Sequence, residues 1–297
     1  MQPRRAKRYD FRFSYSQAIR AAFMSTDPTG PNSWSRLIED AQAYLEEGEL
    51  EEALAVCEQA IDHEPEQPDG YLLAAEILLR MDDPESAAEN VREALELDPD
   101  DRGAVALLGA TLFESCDFDG ARRALEPLAS EPADYAEAAF LCAVIAEREG
   151  RHADAQALYA LAADRDETYR TVPPLGRGEF DAVVDDTLEQ LPDDIRAALE
   201  NVSIQIEEFP PLDELRASTP PLSPLILGLF RGVPLAEKSV MDAGSTPDVV
   251  VLYQRCLELT SHSTEELMEE IAITLTLRQP VHNIPSWWHA RQRSTSN

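Results

Sequence analysis

The stretch Tyr71-Leu-Leu-Ala-Ala-Glu-Ile-Leu-Leu-Arg-Met-Asp-Asp-Pro-Glu-Ser-Ala-Ala-Glu-Asn-Val-Arg-Glu-Ala-Leu-Glu-Leu-Asp-Pro99 decides the fold. Its large and small apolar residues form two helical stripes, Tyr71, Ala75 and Leu78, then Ala87, Val91 and Ala94. Steps of three and four place each set on one face of an α-helix, with a polar turn between them and a proline closing the second. The same pattern returns 34 residues away on either side. Ala87 belongs to a ladder of Ala53, Ala87, Ala121 and Ala155; Ala75 belongs to Ala41, Ala75, Gly109 and Ala143; Ala94 belongs to Ala60, Ala94, Leu128 and Ala162. Eleven of these twelve positions are Ala or Gly. Small residues at three fixed places per repeat let two antiparallel helices approach closely and let the next pair stack on them.

Each unit therefore reads as helix, short turn, helix. In the first repeat Leu37, Ala41 and Tyr44 line helix A, Gly48 makes the turn, and Ala53, Cys57 and Ala60 line helix B before Pro65. The third carries Val105, Leu108, Gly109 and Leu112, then Ala121 and Leu125; the fourth carries Cys142, Ala143 and Ala146, the turn Gly150, then Ala155, Tyr159 and Ala162. Over roughly residues 34 to 167 this order resembles the tetratricopeptide repeat family. The third copy departs by placing Pro132 one position early, and the fourth ends in Asp166-Glu167 without a proline. The resemblance implies a right-handed α-solenoid whose concave face is lined by the A helices and holds an extended peptide or a partner helix.

The repeat register then gives a candidate partner groove: a row of Ile38, Leu72, Ala106 and Phe140, a row of Gln42, Glu76, Ala110 and Val144, and a row of Glu46, Arg80, Glu114 and Arg148. The repeated Lys, Arg and Asn of the family's carboxylate-binding grooves are missing. Two readings stay open, that these rows pack against the C-terminal part of the chain or that they hold an external peptide. The chain has 57 acidic against 25 basic Lys and Arg residues, a formal charge of −32. That balance favours a basic or apolar partner and argues against nucleic acid and anionic membranes, both polyanions. Only Lys7 and Lys238 are lysines. Cys57, Cys116, Cys142 and Cys256 form no CxxC pair, so buried thiols in a reducing compartment are expected, and no apolar run reaches the ~18 residues of a membrane span. Cytoplasmic localisation follows as an expectation.

Within residues 1–32, the first 23 carry Arg4, Arg5, Lys7, Arg8, Arg12 and Arg20 against the single acid Asp10, and the turn-rich run Ser25 to Asn32 follows Met24. They read as a disordered leader or as translation from an over-assigned start. The repeats occupy 33–170, and Thr171-Val-Pro-Pro-Leu-Gly-Arg-Gly178 breaks their register as a linker. Residues 179–277 read as a small α+β domain: a helix around Phe180 to Leu191, a short helix after Pro192, a strand at Val202 to Glu207, a Pro-rich loop from Phe209 to Pro224, and apolar runs Leu225 to Phe230 and Val249 to Tyr253. A last helix starts at the capping box Ser263 and Glu266 and continues through Leu267, Ile271 and Leu275.

About one hundred residues of this region resemble the minimal zincin-like metallopeptidases, a compact bacterial domain. The resemblance rests on Phe180, Leu188 to Pro192, Asn201-Val202, Glu207-Glu208-Phe209-Pro210, Leu227 to Ser239, Pro247 to Arg255 and Glu270 to Leu275, in that order. It implies that the last helix runs into HExxH, where histidines at i and i+4 share one helical face to bind zinc and the glutamate activates the metal-bound water. This chain instead reads Thr276-Leu-Arg-Gln-Pro-Val-His-Asn283, with Leu277 and Arg278 at the places of the first histidine and glutamate and Val281 at the place of the second histidine. Shifting by two sets Gln279 and Pro280 there, and Pro280 disfavours a continuing helix. His282 and His289 are separated by Pro285 and read as solvated tail histidines.

Residues 278–297 contain no Asp or Glu and hold Trp287 and Trp288, two of the three tryptophans. A change of reading frame near Thr276, or natural divergence to a non-catalytic relative, accounts for that shift; the other two frames of the coding DNA would decide between them. The sequence therefore predicts a mainly α protein, four repeats followed by a zincin-like domain that is degenerate or truncated, with no catalytic residues, no metal ligands and no cofactor as written. Zinc would be expected only of an intact family member, a peptidase to which the repeats recruit substrate. The tail from Arg278 is expected to be poorly ordered, and limited proteolysis should remove it before it cuts the repeats; a tail as resistant as the array would contradict this.

Overall fold

The computed structural model describes residues 33–130, 135–200, 202–231 and 248–276. The expected leader, Pro132, and the chain from Leu277 through His282 and His289 to the end lie outside these residues. The described chain divides into two compact units: the repeats up to Arg170 together with Pro211–Pro224, and Thr171–Pro210 together with the residues from Leu225 onward.

In the first unit eight helices follow one another: α1 Ser33–Glu47, α2 Leu50–His63, α3 Pro68–Arg80, α4 Pro84–Leu97, α5 Arg102–Glu114, α6 Phe118–Ala129, α7 Ala136–Arg148 and α8 His152–Arg165. They pack as pairs α1–α2, α3–α4, α5–α6 and α7–α8, and the second helix of each pair packs on the first of the next. The connections are too short for anything but antiparallel neighbours. The alanine ladder lies where the pairs close: Ala53, Ala87 and Ala121 have no exposed surface and Ala155 almost none.

Packing between the two helices of a pair is sized locally. A Cβ on Gly109 of α5 would stand 2.3 Å from Leu125 Cγ of α6. The other three repeats carry Ala41, Ala75 and Ala143 at the Gly109 position, and Cys57, Val91 and Tyr159 at the Leu125 position. The third repeat thus loses one methyl from one helix where its partner helix brings the branched leucine.

The turns inside the repeats share one device. Gly48, Asp82, Cys116 and Gly150, each 34 residues from the next, all have φ between +61° and +81°. After each of them the chain makes a reversed hydrogen bond across the helix end: Glu49 N to Tyr44 O at 2.9 Å, Asp83 N to Leu78 O at 2.9 Å, Asp117 N to Leu112 O at 2.8 Å and Arg151 N to Ala146 O at 2.8 Å. This is the Schellman closure, which satisfies carbonyls that a helix end would leave open and needs a left-handed residue. The residue that follows starts the next helix; Asp83 and Asp117 do so by accepting from Ser86 N and Gly120 N. Prolines at the first turns of α3 and α4 use the place where a missing N–H costs nothing.

The second unit is a three-stranded sheet with helices. The linker continues into it: Val172 N donates to Ser261 O at 2.9 Å. Helix α9, Arg177–Gln190, buries Phe180, Val184 and Thr187 at helical spacing and packs on the last helix; α10, Asp193–Leu199, buries Ile195 and Leu199. Strand β1, Val202–Glu207, pairs in parallel with β3, Asp248–Tyr253, in the register Ile204 opposite Val250. Strand β2, Gly228–Arg231, pairs antiparallel on the other side of β3, with Phe230 opposite Val250. The order β1–β3–β2 makes β3 central, and its run from Val250 to Tyr253 is buried throughout, as expected of a strand covered on both faces. Helix α12, Gln254–Leu259, follows β3 directly. Helix α13, Thr264–Thr276, begins where Ser263 Oγ accepts from Glu266 N at 3.2 Å; the Glu266 carboxylate reaches back to His262 N at 2.8 Å, one residue earlier than a standard capping box.

Replacing Gly109 by Ala should destabilise the array by about 1–3 kcal/mol through overpacking, despite the better helix propensity of alanine. Adding Leu125→Val should restore most of the loss. Replacing Asp82 by Gly should raise stability by roughly 0.5–1 kcal/mol, because the left-handed conformation costs a Cβ-bearing residue and not glycine. Urea melts followed by circular dichroism would measure all three.

Candidate functional site

The A-helix rows named from the register fall into different environments. Ile38, Leu72, Phe140 and Val144 are buried, and so is Glu76. Ile38 belongs to one apolar cluster with Ala74 and Ile77, and Leu72 to the next with Val91 and Leu107. Phe140 stacks against Tyr159 and Tyr169, ring centroids 5.8 Å and 5.1 Å apart. Gln42, Ala106 and Arg148 are half-buried and Arg80 is exposed. Arg80 bridges consecutive repeats: it donates to Glu76 Oε1 at 3.1 Å and to Leu45 O at 3.4 Å. Burial raises the Glu76 carboxyl above its ordinary range, and the Arg80 guanidinium opposes that rise.

A denser constellation forms at the C-terminal end of α5, the turn after it and the neighbouring α7, and it takes in Pro211–Pro224. This segment lies between two strands of the second unit in the sequence but packs with the repeats. It opens with a single helical turn, α11, Leu212–Leu215, and closes on itself where Leu222 N donates to Leu215 O at 2.9 Å. Both leucines are buried. Hydrogen bonds join the segment to the array. Arg216 NH2 donates to Cys116 O at 2.7 Å, Cys116 Sγ donates to Leu222 O at 3.7 Å, and Ser223 Oγ donates to Glu114 Oε1 at 3.3 Å. The left-handed turn residue Cys116 is therefore both the hinge of its repeat and a docking point for the segment.

Glu114 is buried. Glu137, on α7, is half-buried as a residue, yet its Oε1 is shut off from water and finds no hydrogen-bond partner. Burial, and then the nearby Glu114 carboxylate, push the Glu137 carboxyl up to about 8. The Cys116 thiol is pushed up to about 11 by burial and by Glu114, against the pull of Arg216 and Arg148. Arg148 itself lies over the Phe118 ring, 5.0 Å from its centre. The Arg216 guanidinium is committed to the Cys116 carbonyl. Register alone had placed Glu114 and Arg148 in one row, and Cys116 falls in the turn column of Gly48 and Gly150; Glu137, Arg216 and Ser223 carry no repeat signal that would have singled them out.

In the second unit the buried polar centre is Glu258, on α12, which has no exposed surface. It accepts from Leu175 N at 3.0 Å, from Gln254 Nε2 at 2.8 Å and from Arg255 NH1. Gln254 also donates to Leu175 O at 2.9 Å, and Arg255 N donates to Glu208 O at 3.0 Å. This cluster clamps the entry of the chain into the unit and the end of β1 onto the helix after β3. Across the sheet Arg231 donates to Glu207 Oε1 at 3.1 Å. The edge strand β2 is pressed close: a Cβ on Gly228 would stand 2.5 Å from both Thr274 Cγ2 and Val251 O. Among the described residues no three His, Cys, Asp or Glu side chains converge where a metal ion could be held. The sequence contains no HExxH, and the aliphatic Leu277 and Val281 offer a zinc ion no donor.

Residues 44–89 and 78–145 match the tetratricopeptide repeat family, and residues 199–284 match the family described as zincin-like metallopeptidase. No curated protein matches the chain. Among solved structures, MamA from Desulfovibrio magneticus RS-1 is similar at 21% identity, covering 46% of this chain and 77% of that one with a TM-score of 0.43. YrrB, a TPR protein with an unusual peptide-binding site, is 18% identical over 59% of this chain and 81% of its own, TM-score 0.40. The first TPR of Spaghetti (RPAP3), bound to the HSP90 peptide SRMEEVD, is 21% identical over 39% of this chain and 93% of its own, TM-score 0.38.

Two outcomes follow. The folded state holds a proton on Glu137 that the unfolded chain releases above its ordinary value, so stability should fall as pH rises from about 4.5 towards about 8, by no more than ~1.4 kcal/mol per pH unit. Glu137→Gln should flatten that slope and be the more stable form at pH 8, as read from urea melts across the range. Glu258→Ala should cost about 3–5 kcal/mol, since it strips a buried guanidinium of its carboxylate, and should lower the unfolding midpoint of the second unit.

Proposed function

We propose that this chain, in which tetratricopeptide repeats cover residues 44–145 and a zincin-like domain covers 199–284, is a protein-interaction scaffold whose repeats hold a protein or peptide partner. The observation that carries the reading is the stacked array itself. Four helix pairs, closed by identical turns, present a continuous surface that a single pair could not build. The zincin-like domain is a non-catalytic appendage in this reading, because the sequence supplies neither histidine of the zinc pair. Its polar centre at Glu258 is spent on clamping backbone segments together.

The partner is basic or apolar, given the chain's charge of −32, and is neither nucleic acid nor an anionic membrane. No helix among the described residues is long and apolar enough to cross a membrane, and the four cysteines are buried thiols. We place the protein in the cytoplasm on those grounds. The groove would draw on Gln42, Arg80, Ala106 and Arg148, which retain exposed surface, while Ile38, Leu72, Glu76, Phe140 and Val144 support it from inside.

A second reading is favoured by the match of residues 199–284: a zinc-dependent peptidase to which the repeats deliver substrate, active only with an HExxH-bearing C-terminus. Metal analysis of the purified full chain after incubation with zinc separates the two. The scaffold reading expects substoichiometric zinc and no peptidase activity against unfolded casein. One equivalent of bound zinc that resists dialysis would overturn it in favour of the enzyme.

A further inference from the structure

Charge is spread unevenly along the array. Residues 33–101, the first two repeats, hold 22 Asp and Glu against three Arg and no Lys, whereas residues 102–170 hold 13 against seven. Three guanidiniums cannot neutralise 22 carboxylates, so the excess belongs to the stretch whatever local bonds its members make. Acids kept for solubility alone have no reason to gather in two repeats of four. Because the helices of a pair are antiparallel, α2 and α4 finish at the end of the array where α1 and α3 begin. At that end residues 58–69 and 93–101 contain no Lys or Arg, and Asp62, Glu66, Glu93, Glu96, Asp98 and Asp100 are all exposed. Carboxyls of successive junctions feel one another there: Asp69, in the first turn of α3, is raised above its ordinary range by burial and then by Asp101, the residue that caps α5. A helix C-terminus favours cations, yet the last turn of α4 carries Glu96 and no base.

The chain enters α1 at this same end, through residues 1–32, which carry six Arg and Lys against Asp10 and Asp27. Neighbouring helices lie ~10 Å apart, so the surface extends roughly 30 Å from Ser33, and ~10 residues of chain cross it. We propose that residues 1–32 dock on the acidic end of the first two repeats, their Arg and Lys side chains pairing with the carboxylates between Asp62 and Asp100. The surface is the end of the helix pairs and not the groove, so the proposal goes beyond the scaffold reading and does not rest on it. Exposed ion pairs are weak singly, but the tether sets an effective concentration on the order of 1 mM, at which several together hold the segment in place. A basic partner approaching that end of the array competes with the chain's own segment.

Lys7 makes the test direct, since Lys7 and Lys238 are the chain's only lysines. The intact chain is mixed with an equal amount of nitrogen-15-labelled chain and treated with a water-soluble carbodiimide, which joins an amine to a carboxylate in contact with it. Mass spectrometry then identifies the linked peptides. Within one chain, Lys7 should couple to carboxylates of residues 58–69 and 93–101 at least ~5-fold more per carboxylate than to those of 102–170, and added NaCl at about 0.5 M should remove that preference. Coupling spread evenly over the acids, no coupling of Lys7, or links only between labelled and unlabelled chains would overturn the proposal, the last by placing the segment on a second copy. A labelled peptide of residues 1–32 gives a second measurement, titrated by fluorescence anisotropy into the intact chain and into a full-length variant with Arg4, Arg5, Lys7, Arg8, Arg12 and Arg20 all changed to Gln. The variant should bind at least ~10-fold tighter than the intact chain, because its own segment no longer competes. That binding should fall ~10-fold when Asp62, Glu66, Glu93, Glu96, Asp98 and Asp100 are changed to Asn or Gln. Equal affinity of variant and intact chain counts against docking. So does an equal fall when the exposed acids of the last two repeats, Asp119, Glu126, Glu149, Asp154, Asp164 and Glu167, are changed instead, since the attraction is then diffuse.

Discussion

Close approach of helix backbones is the constraint on which the array depends. Ala53, Ala87, Ala121 and Ala155 are almost entirely buried at the same place in successive pairs, and no larger side chain would let those pairs stack at the same distance. The constraint is local enough to be met by substitution across the interface. Gly109 faces the branched Leu125, whereas Ala75, at the same place in the preceding repeat, is matched with the smaller Val91. A repeat protein tolerates that kind of trade because each pair answers only to its neighbours.

A second constraint is the reversal between the helices of a pair. Four left-handed residues at one register position let the chain turn back in two or three residues while satisfying the carbonyls at the helix end. Two are glycines, legible as turn signals. The other two, Asp82 and Cys116, stand in the same 34-residue column and accept the conformation at some cost, which their φ angles reveal. At Cys116 the strained position is also where another part of the chain docks, through both its carbonyl and its thiol.

The second unit is held differently. Its sheet is small, and its central strand β3 is joined to the linker and to β1 by a buried carboxylate that collects one backbone and two side-chain donors. Glu258 resembles a candidate catalytic carboxylate in being buried and flanked by Arg255 and Gln254, but each of those partners is used to fix the backbone. Polar clusters of this kind are costly when incomplete and rigid when satisfied, which suits a short helix that must anchor three chain segments.

How much of this could be read beforehand follows from the range of the interactions. The helix pairs, their order and their small-residue seams are written in the sequence, since each depends on residues within one repeat and is stated four times over. The strand Val202–Glu207, the apolar run Val249 to Tyr253 that lies within β3, and the cap at Ser263 were legible for the same reason, each being a pattern a few residues long. The A-helix rows were located but not their exposure: Ile38 and Phe140 are consumed in packing, while Gln42, Glu46, Arg80, Ala106 and Arg148 keep surface, because burial depends on neighbours that the register does not name. Tertiary structure alone decided where Pro211–Pro224 lies. Arg216 meets Cys116 across 100 positions and Ser223 meets Glu114 across 109, and contacts at that separation appear once, without the repetition that makes a local rule visible in a single sequence.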